Sequence, residues 1–272
     1  NKDALDIGET DATYLKAKAD DFYRGGDFRS AINAYSSAFE RDGTMVAALS
    51  NRAACYLQIG EAARCVSDCD DALKASSSNP EISFPGNSIN LFWLKIFIRR
   101  GTAKCQLGDF DGARDDYKKA VGFDEGNEEL KTDYERMEKL ALVSGLKGEG
   151  DALFGKGKAA EAEAKYSEAI SMDPSFVSAV SNRAGSRLAL GKFKECVSDC
   201  DVALKLLSQN DEGGVSGPVP PPGSNKRRDW VIKTMCRRGK AKMEDEDYEG
   251  ALADLRLGLK LVPEGRTRVR DD

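Results

Sequence analysis

The spacing of apolar residues predicts helices that pair through short glycine-containing turns. Apolar side chains recur at helical intervals from about Ala12, and the pattern stops at 25–27, Gly-Gly-Asp, before a second helix at 28–39. The next pair of helices is predicted at about 45–58 and 61–74. The chain is therefore expected to be all-α and built from helical hairpins.

The chain contains an internal duplication. The segment Ser-Asn-Arg-Ala at 50–53 recurs 131 residues later at 181–184. At the same offset, Cys-Val-Ser-Asp-Cys-Asp at 65–70 recurs at 196–201. The register is thus kept through a whole hairpin, which predicts two copies of one structural module.

Each copy has a shorter internal period. Ala19 is followed 34 residues later by Ala53, and Phe22 by Tyr56. This period and these residue types resemble the tetratricopeptide repeat, a helix-turn-helix unit whose helices interlock through small residues. Six repeats in two sets of three account for nearly the whole chain. The fold is therefore predicted as two superhelical three-repeat modules in tandem.

The two modules are predicted to fold separately. A charged amphipathic helix at 128–143 should cover the open end of the first set, because an uncovered last hairpin would leave an apolar face in water. Ser144-Gly145 is expected to be the hinge into the second set. The predicted divisions are a disordered or linker segment at 1–10, the first module at 11–143, the second module at 144–265 and a disordered tail at 266–272.

Both copies lengthen the connection to their third repeat. In the first copy the added stretch begins with Ser-Ser-Ser-Asn-Pro at 76–80. The second copy has a longer insertion at 213–223, in which a Pro-Pro-Pro run lies among glycines. A solvated loop is favoured there over a ligand for proline-recognition domains.

Composition excludes several classes of function. A net charge of −5 and an isoelectric point near 5.2 argue against general nucleic-acid binding. No apolar run approaches the length of a membrane span, so a cytoplasmic protein without a membrane partner is expected. The chain begins with Asn rather than Met, which suggests a fragment of a longer polypeptide.

Catalysis and metal binding are not predicted. Histidine is absent, which removes the commonest general base and metal ligand. The paired cysteines at 65 and 69 and at 196 and 200 could suggest a metal or redox site, but the repeat places small buried residues there, so core packing is favoured. Gly-Lys-Gly-Lys-Ala at 155–159 lacks a preceding strand and the phosphate-loop spacing. Neither an enzyme activity nor a cofactor is expected.

The first helix of each repeat is predicted to line the concave groove, and we call these helices the inner helices and their partners the outer helices. Charged and amide residues fall at equivalent places on the inner helices of both modules. Residues four apart on a helix share one face, so such residues can point into one groove, and grooves of stacked repeats bind extended peptides. The expected peptide-binding residues are Lys16, Asp20, Asn51, Lys95 and Arg99 in the first module and Lys147, Asp151, Asn182, Lys233 and Arg237 in the second.

This set resembles the carboxylate clamp of tetratricopeptide co-chaperones, whose members are Lys, Asn, Asn, Lys and Arg. The resemblance implies binding of the C-terminal carboxylate and final Asp side chain of ninety- and seventy-kilodalton heat-shock chaperones that end in Glu-Glu-Val-Asp. Asp20 and Asp151 stand where the family has its first Asn. Because an ionised Asp only accepts hydrogen bonds, we expect a weakened or retuned clamp, in which the Asp pairs with a clamp lysine or selects a ligand with its own donor.

A narrower resemblance rests on the phrases at 49–55 and 94–107. They are similar to the tetratricopeptide region of dynein axonemal assembly factors of the dyslexia-susceptibility type, and to related sperm-antigen and polymerase-associated assembly factors. This resemblance implies an adaptor that helps to assemble dynein for the cilium or other large complexes, with dynein assembly clients as further partners. The alternative is a scaffold that binds internal segments or folded partners without recognising a C-terminal carboxylate.

Overall fold

The computed structural model describes residues 11–78, 88–209, 219–220 and 223–262. Within these ranges the regular structure is entirely helical, which confirms the predicted fold class. The predicted disorder at 1–10 and 266–272, and most of the proline-rich insertion, lie outside the described residues. In chain order the helices are α1 (Ala12–Arg24), α2 (Phe28–Arg41), α3 (Val46–Gln58), α4 (Ala62–Ser78), α5 (Ser88–Leu107), α6 (Phe110–Phe123), α7 (Glu128–Gly155), α8 (Ala159–Met172), α9 (Val177–Ala189), α10 (Phe193–Ser208), α11 (Asn225–Glu244) and α12 (Tyr248–Leu261).

The hairpin turns have local causes in the sequence. Asp27 caps α2, because its Oδ1 accepts a hydrogen bond of 3.0 Å from the backbone N–H of Ser30. Gly60 between α3 and α4 has a φ of 76°, a left-handed conformation that suits glycine. The acidic segment at 244–247 forms the turn before α12, where Asp247 caps the helix.

Small residues let the paired helices approach closely. Ala19 and Ala53 are fully buried. A Cβ atom added to Gly101 would lie 2.8 Å from the Tyr117 ring, and one added to Gly150 would lie 2.6 Å from the Tyr166 ring. These contacts explain why the repeat keeps small residues opposite its aromatic ones.

The paired cysteines pack in the hydrophobic core, as predicted. Cys65 and Cys69 are fully buried in the cluster that contains Leu49 and Ile96. Their counterparts in the second copy, at 196 and 200, are equally buried. These thiols act as compact apolar side chains.

The first predicted connection is partly wrong, because α4 continues through Ser78. The hydroxyls of Ser76 and Ser77 donate to the carbonyl of Leu73, at 3.1 and 2.8 Å, and that of Ser78 donates to Lys74 at 2.7 Å. Each serine thus satisfies its polar group against the preceding helical turn. In the second insertion, Pro220 is buried, and its carbonyl accepts a hydrogen bond of 3.2 Å from Arg227.

The predicted hinge at Ser144-Gly145 is also wrong, because both residues lie inside the continuous helix α7. Val143 and Leu146 on either side are buried, and their packing outweighs the roughly 1 kcal/mol that a glycine costs within a helix. The contacts between Cα atoms divide the chain into two compact units, Asn1–Ala141 and Leu142–Asp272. Separate folding of the two modules remains a prediction.

The first half of α7 has the predicted amphipathic pattern. Leu130, Met137 and Leu140 are buried at helical spacing. Burial raises the pKa of the Tyr117 hydroxyl in α6, and the charges of Asp133 and Arg136 on this half of α7 also shift that pKa. The helix therefore lies beside the third hairpin of the first unit. No described helix combines the length and apolar character needed to cross a membrane.

Candidate peptide-binding site

Three of the five predicted residues of the first unit meet around one carboxylate. Lys16 and Asp20 lie one turn apart on α1, and Lys16 Nζ is 2.8 Å from Asp20 Oδ2. Asn51 on α3 donates from Nδ2 to Asp20 Oδ1 at 3.2 Å. Because a carboxylate can only accept, the amide of Asn51 must turn its NH2 group toward Asp20.

Tyr35 on α2 is a fourth member of this cluster that the sequence analysis missed. Its hydroxyl donates to Asp20 Oδ1 at 2.5 Å, and its ring is buried. Burial alone would raise the pKa of Asp20, but hydrogen bonds from Lys16, Tyr35 and Asn51 outweigh it and lower that pKa. Burial and the neighbouring carboxylate raise the pKa of Tyr35. Tyr35 therefore stays a donor to an ionised Asp20.

The second unit repeats this cluster around Asp151. Lys147 Nζ lies 2.5 Å from Asp151 Oδ2, while Asn182 Nδ2 and the Tyr166 hydroxyl donate to Oδ1 at 2.8 and 2.7 Å. Burial and the hydrogen bond to Asp151 raise the pKa of Tyr166. We call these two groups the Asp20 cluster and the Asp151 cluster. Their hydrogen bonds connect the same atom types in both units.

The predicted arginines are held by the preceding inner helix. Arg99 Nη1 donates to the carbonyl and the hydroxyl of Ser50, at 2.6 and 2.5 Å. Arg237 contacts Ser181 in the same way, with 3.0 Å to its hydroxyl. Burial lowers the pKa of both guanidinium groups. A Cβ atom on Gly185 would lie 3.2 Å from Arg237, so this side chain lies directly on α9.

The last predicted pair, Lys95 and Lys233, stands apart from the two clusters. Both lysines are exposed, and neither has a hydrogen-bond or ion-pair partner among the residues that the structure describes. Each lies one turn before Arg99 or Arg237 on its helix. The two lysines of each predicted clamp are thus unequal, because one pairs with an Asp and the other is exposed without a partner among the described residues.

A second layer of arginines, also missed from the sequence, fixes the rotation of the inner helices. Each of these arginines directly follows a predicted site residue and points instead to an Asp on the outer helix of its own hairpin, sixteen residues later. Arg52, for example, contacts the Asp68 carboxylate through two nitrogens, at 2.8 and 2.7 Å. The pairs are Arg52–Asp68, Arg100–Asp116, Arg183–Asp199 and Arg238–Asp254.

A family model agrees with the repeat pattern of this chain. The family model of the tetratricopeptide repeat matches residues 16–80 and 147–211. These two matches contain the Asp20 and Asp151 clusters, and they confirm tandem tetratricopeptide modules.

Known proteins with similar sequences narrow the comparison. The chain is 27% identical over 256 residues to Hsp70-Hsp90 organizing protein 1 of Glycine max, covering 89% of this chain and 40% of that protein. It is 24% identical over 310 residues to Sperm-associated antigen 1 of Homo sapiens, covering 92% of this chain and 30% of that protein. The chain therefore spans two fifths or less of the length of these relatives.

One solved structure supports the fold. The crystal structure of the P58(IPK) TPR domain aligns with a TM-score of 0.54 at 18% identity, covering 94% of this chain and 67% of that chain. The chain is thus similar in sequence to co-chaperones of the Hsp70-Hsp90 organizing type and has a tetratricopeptide fold.

Proposed function

We propose that this chain is a non-enzymatic co-chaperone adaptor that binds the acidic C-termini of seventy- or ninety-kilodalton heat-shock chaperones. The observation that carries the proposal is the repetition of one arrangement in both units: a Lys-Asp-Asn-Tyr cluster, an Arg held by a Ser of the preceding inner helix, and an exposed Lys. Ammonium and guanidinium groups form strong charge-assisted hydrogen bonds with carboxylates. The names of the organizing proteins link those relatives to the same chaperones.

The donors that a ligand would use remain available. Lys16 directs one of its three N–H bonds to Asp20, and Asn51 keeps a second amide hydrogen. Lys95 is exposed and has no partner in the described ranges, so it is the side chain best placed to attract an acidic peptide first. Arg99 is preorganised by Ser50, which reduces the entropy lost when it pairs with a carboxylate.

A test of C-terminal recognition compares a peptide ending in Glu-Glu-Val-Asp with the same peptide amidated at its C-terminus. Amidation removes the terminal negative charge, so we expect affinity for the full chain to fall at least tenfold, about 1.4 kcal/mol, by titration calorimetry. The double variant Lys95→Ala and Lys233→Ala should weaken the free-acid peptide similarly. Lys74→Ala, on exposed α4 surface, is the matched control and should bind normally. Equal affinity for both peptides would contradict clamp binding.

A second candidate function is favoured by the Asp clusters themselves. Asp20 and Asp151 occupy one lysine in each clamp, so a groove with this charge could instead select an internal segment that brings its own donor. Like charges about 4 Å apart repel by up to roughly 4 kcal/mol at an effective dielectric of 20, before the lysine offsets this.

The two candidates give opposite outcomes for Asp20→Asn and Asp151→Asn. Under C-terminal recognition, each substitution frees a lysine and keeps an acceptor for Tyr35 or Tyr166, so the Glu-Glu-Val-Asp peptide should bind more tightly, by up to about tenfold. Asp21→Asn is the matched control, since Asp21 forms an exposed pair with Arg24. A loss of affinity in the cluster variants would instead favour the scaffold function.

We further propose that the adaptor acts in the cytoplasm, in the assembly of dynein or other large complexes for the cilium. The support is the likeness of the phrases at 49–55 and 94–107 to dynein axonemal assembly factors. Affinity purification of the tagged chain from ciliated cells should recover dynein chains together with a heat-shock chaperone. Recovery of the chaperone without any dynein chain would contradict this role and leave C-terminal recognition intact.

A further inference from the structure

Helix α11 concentrates positive charge in an acidic chain. It contains eight basic and two acidic residues, whereas the whole chain carries a net charge of −5. Its counterpart in the first unit, α5, contains four basic residues and no acidic ones. The third inner helix of the second unit is therefore the more basic of the two.

Part of this charge has a structural role. Arg227 donates to the carbonyls of Leu207 and Gln209 at the C-terminal end of α10, where helix carbonyls have no intrahelical partner, and to the carbonyl of Pro220. Arg238 and Lys242 both pair with the buried carboxylate of Asp254. These three basic side chains already have hydrogen-bond or ion-pair partners within the unit.

Three lysines of α11 have no such role. Lys226, Lys233 and Lys240 are exposed, and none has an ion-pair or hydrogen-bond partner in the described part of the chain. They are spaced seven residues apart, which places them on one face of the helix at intervals of about 10 Å. We call these residues the α11 lysine track. Lys233, its middle member, belongs to the predicted clamp with Arg237.

The first unit lacks this track. At the equivalent positions, 138 residues earlier, α5 has Ser88, Lys95 and Thr102. The hydroxyl of Thr102 is 2.9 Å from that of Tyr117 on α6. Only the middle member of the track is therefore charged in the first unit.

We infer that the second unit binds a longer acidic segment than the first, with carboxylates upstream of the terminus paired to the α11 lysine track. The inference rests on the proposed function, because the track is continuous with the clamp through Lys233. Its outer lysines are about 21 Å apart, a distance spanned by about six or seven extended residues. Acidic side chains at every third residue of such a segment match the lysine intervals. The first unit binds only the C-terminal residues of such a segment.

The test uses two peptides that both end in Glu-Glu-Val-Asp and differ in the six residues before it, all Glu in one and all Gln in the other. The full chain with Lys95→Ala isolates the second unit. At about 50 mM salt, where screening is weak, we expect the Glu peptide to bind about fivefold more tightly. Adding Lys226→Gln and Lys240→Gln should bring this ratio close to one.

A matched control removes the same charge elsewhere. Lys74→Gln and Lys194→Gln lie on exposed faces of the outer helices α4 and α10, and they should keep the fivefold ratio. A chain with Lys233→Ala, which leaves the first unit to bind, should show a ratio near one. A fivefold ratio that persists without Lys226 and Lys240 would overturn the inference.

The remaining outcomes separate the two proposals. If both peptides bind equally and amidation still abolishes binding, the inference fails and C-terminal recognition stands. If neither peptide binds, both fail. If Asp211→Asn with Glu212→Gln raises affinity for the Glu peptide, the track is occupied by the chain's own insertion, and the inference is likewise overturned. We expect no change from that double variant.

Discussion

The two units keep the same cluster around Asp20 and Asp151 but stabilise it with different packing. In the first unit, Ile32 and Tyr56 are partly buried, and each packs against a cluster of buried apolar residues. The guanidinium of Arg64 lies 5.7 Å from the centre of the Tyr56 ring. The first unit therefore has packed ring and aliphatic side chains at these two positions, with a cation over the Tyr56 ring.

At the same two positions the second unit has Glu163 and Arg187, which form an ion pair at 3.0 Å. Lys192 also pairs with Glu163 at 2.7 Å, and Arg187 reaches Asp199 at 2.8 Å. An ionic network therefore takes the place of Ile32 and Tyr56, and Asn182 still donates to Asp151. The comparison indicates that the cluster depends on particular donors and acceptors, whereas the packing behind it needs only filled volume and paired charge.

The largest predicted difference between the units comes from removing the buried Asp behind the cluster. Among the described residues, Asp199 pairs with both Arg183 and Arg187, whereas its counterpart Asp68 pairs with Arg52 alone. Breaking a buried pair by removing one partner costs on the order of 3–5 kcal/mol. We expect Asp199→Ala to lie at the upper end of this range and Asp68→Ala at the lower end, in the free energy of unfolding measured with denaturant.

The exposed pair of Asp21 and Arg24 provides the control for these two substitutions. Asp21→Ala should change the free energy of unfolding by less than about 1 kcal/mol, because exposed ion pairs contribute little. Equal losses from Asp199→Ala and Asp68→Ala would show that the ion pair of Arg187 with Asp199 adds no stability. The predicted difference between the two units would then be wrong.

The next difference concerns the glycine that faces the last outer helix of each unit. A Cβ atom on Gly101 would meet the buried Tyr117 ring at 2.8 Å, whereas one on Gly239 would meet Leu255, which is 40% exposed, at 3.3 Å. Overpacking costs about 1–3 kcal/mol, and replacing a helical Gly by Ala recovers about 1 kcal/mol. Gly101→Ala should therefore destabilise by up to about 2 kcal/mol.

Gly239→Ala should be neutral or slightly stabilising, because Leu255 can move toward solvent. Thermal unfolding of the two single variants measures this difference in sign. A loss of stability from Gly239→Ala as large as that from Gly101→Ala would mean that Leu255 is as rigidly held as Tyr117.

The hairpins were predictable because their signals are local. The spacing of apolar residues, the Gly and Asp residues in the turns and the repeated phrases all lie within a few turns of one another. The shared face of Lys16 and Asp20 follows from their four-residue spacing alone. The repeat register predicted that Asn51 and Asp20 face one groove, whereas their hydrogen bond was seen only in the structure.

The missed features all depend on packing between helices. Tyr35 stands at a position where the repeat has an aromatic residue for packing. Its ring was therefore assigned to the core, and the hydrogen bond of its hydroxyl was not predicted. The signal for the Arg52–Asp68 pair was the recurrence of Arg and Asp sixteen residues apart in four hairpins, and it acquires meaning only when the rotation of both helices is known. At Ser144-Gly145 the burial of neighbouring side chains overrode the local tendency to break the helix.

The smallest predicted effect on stability comes from replacing a buried hydroxyl oxygen in one unit with the sulfur found at the same position in the other. Ser186 occupies the position of Cys55, and both side chains are fully buried. The Ser186 hydroxyl has no hydrogen-bond partner among the described residues, whereas the Cys55 sulfur lies 3.4 Å from the carbonyl of Asn51. Burial raises the pKa of the Cys55 thiol to about 11, so this side chain is neutral at pH 7.

An unpaired buried hydroxyl costs about 1–3 kcal/mol in proteins, and a thiol of similar shape avoids most of that cost. Ser186→Cys should therefore stabilise the chain by about 1 kcal/mol, and Cys55→Ser should destabilise it by a similar amount, in the free energy of unfolding. Cys105→Ser is the control: Cys105 is only half-buried, so its loss should be smaller. If Ser186→Cys instead lowered stability, the hydroxyl would have to be satisfied in solution, for which a buried water is the available partner. In that case α9 of the second unit would be stabilised by a polar contact of Ser186 that has no equivalent at Cys55 in the first unit.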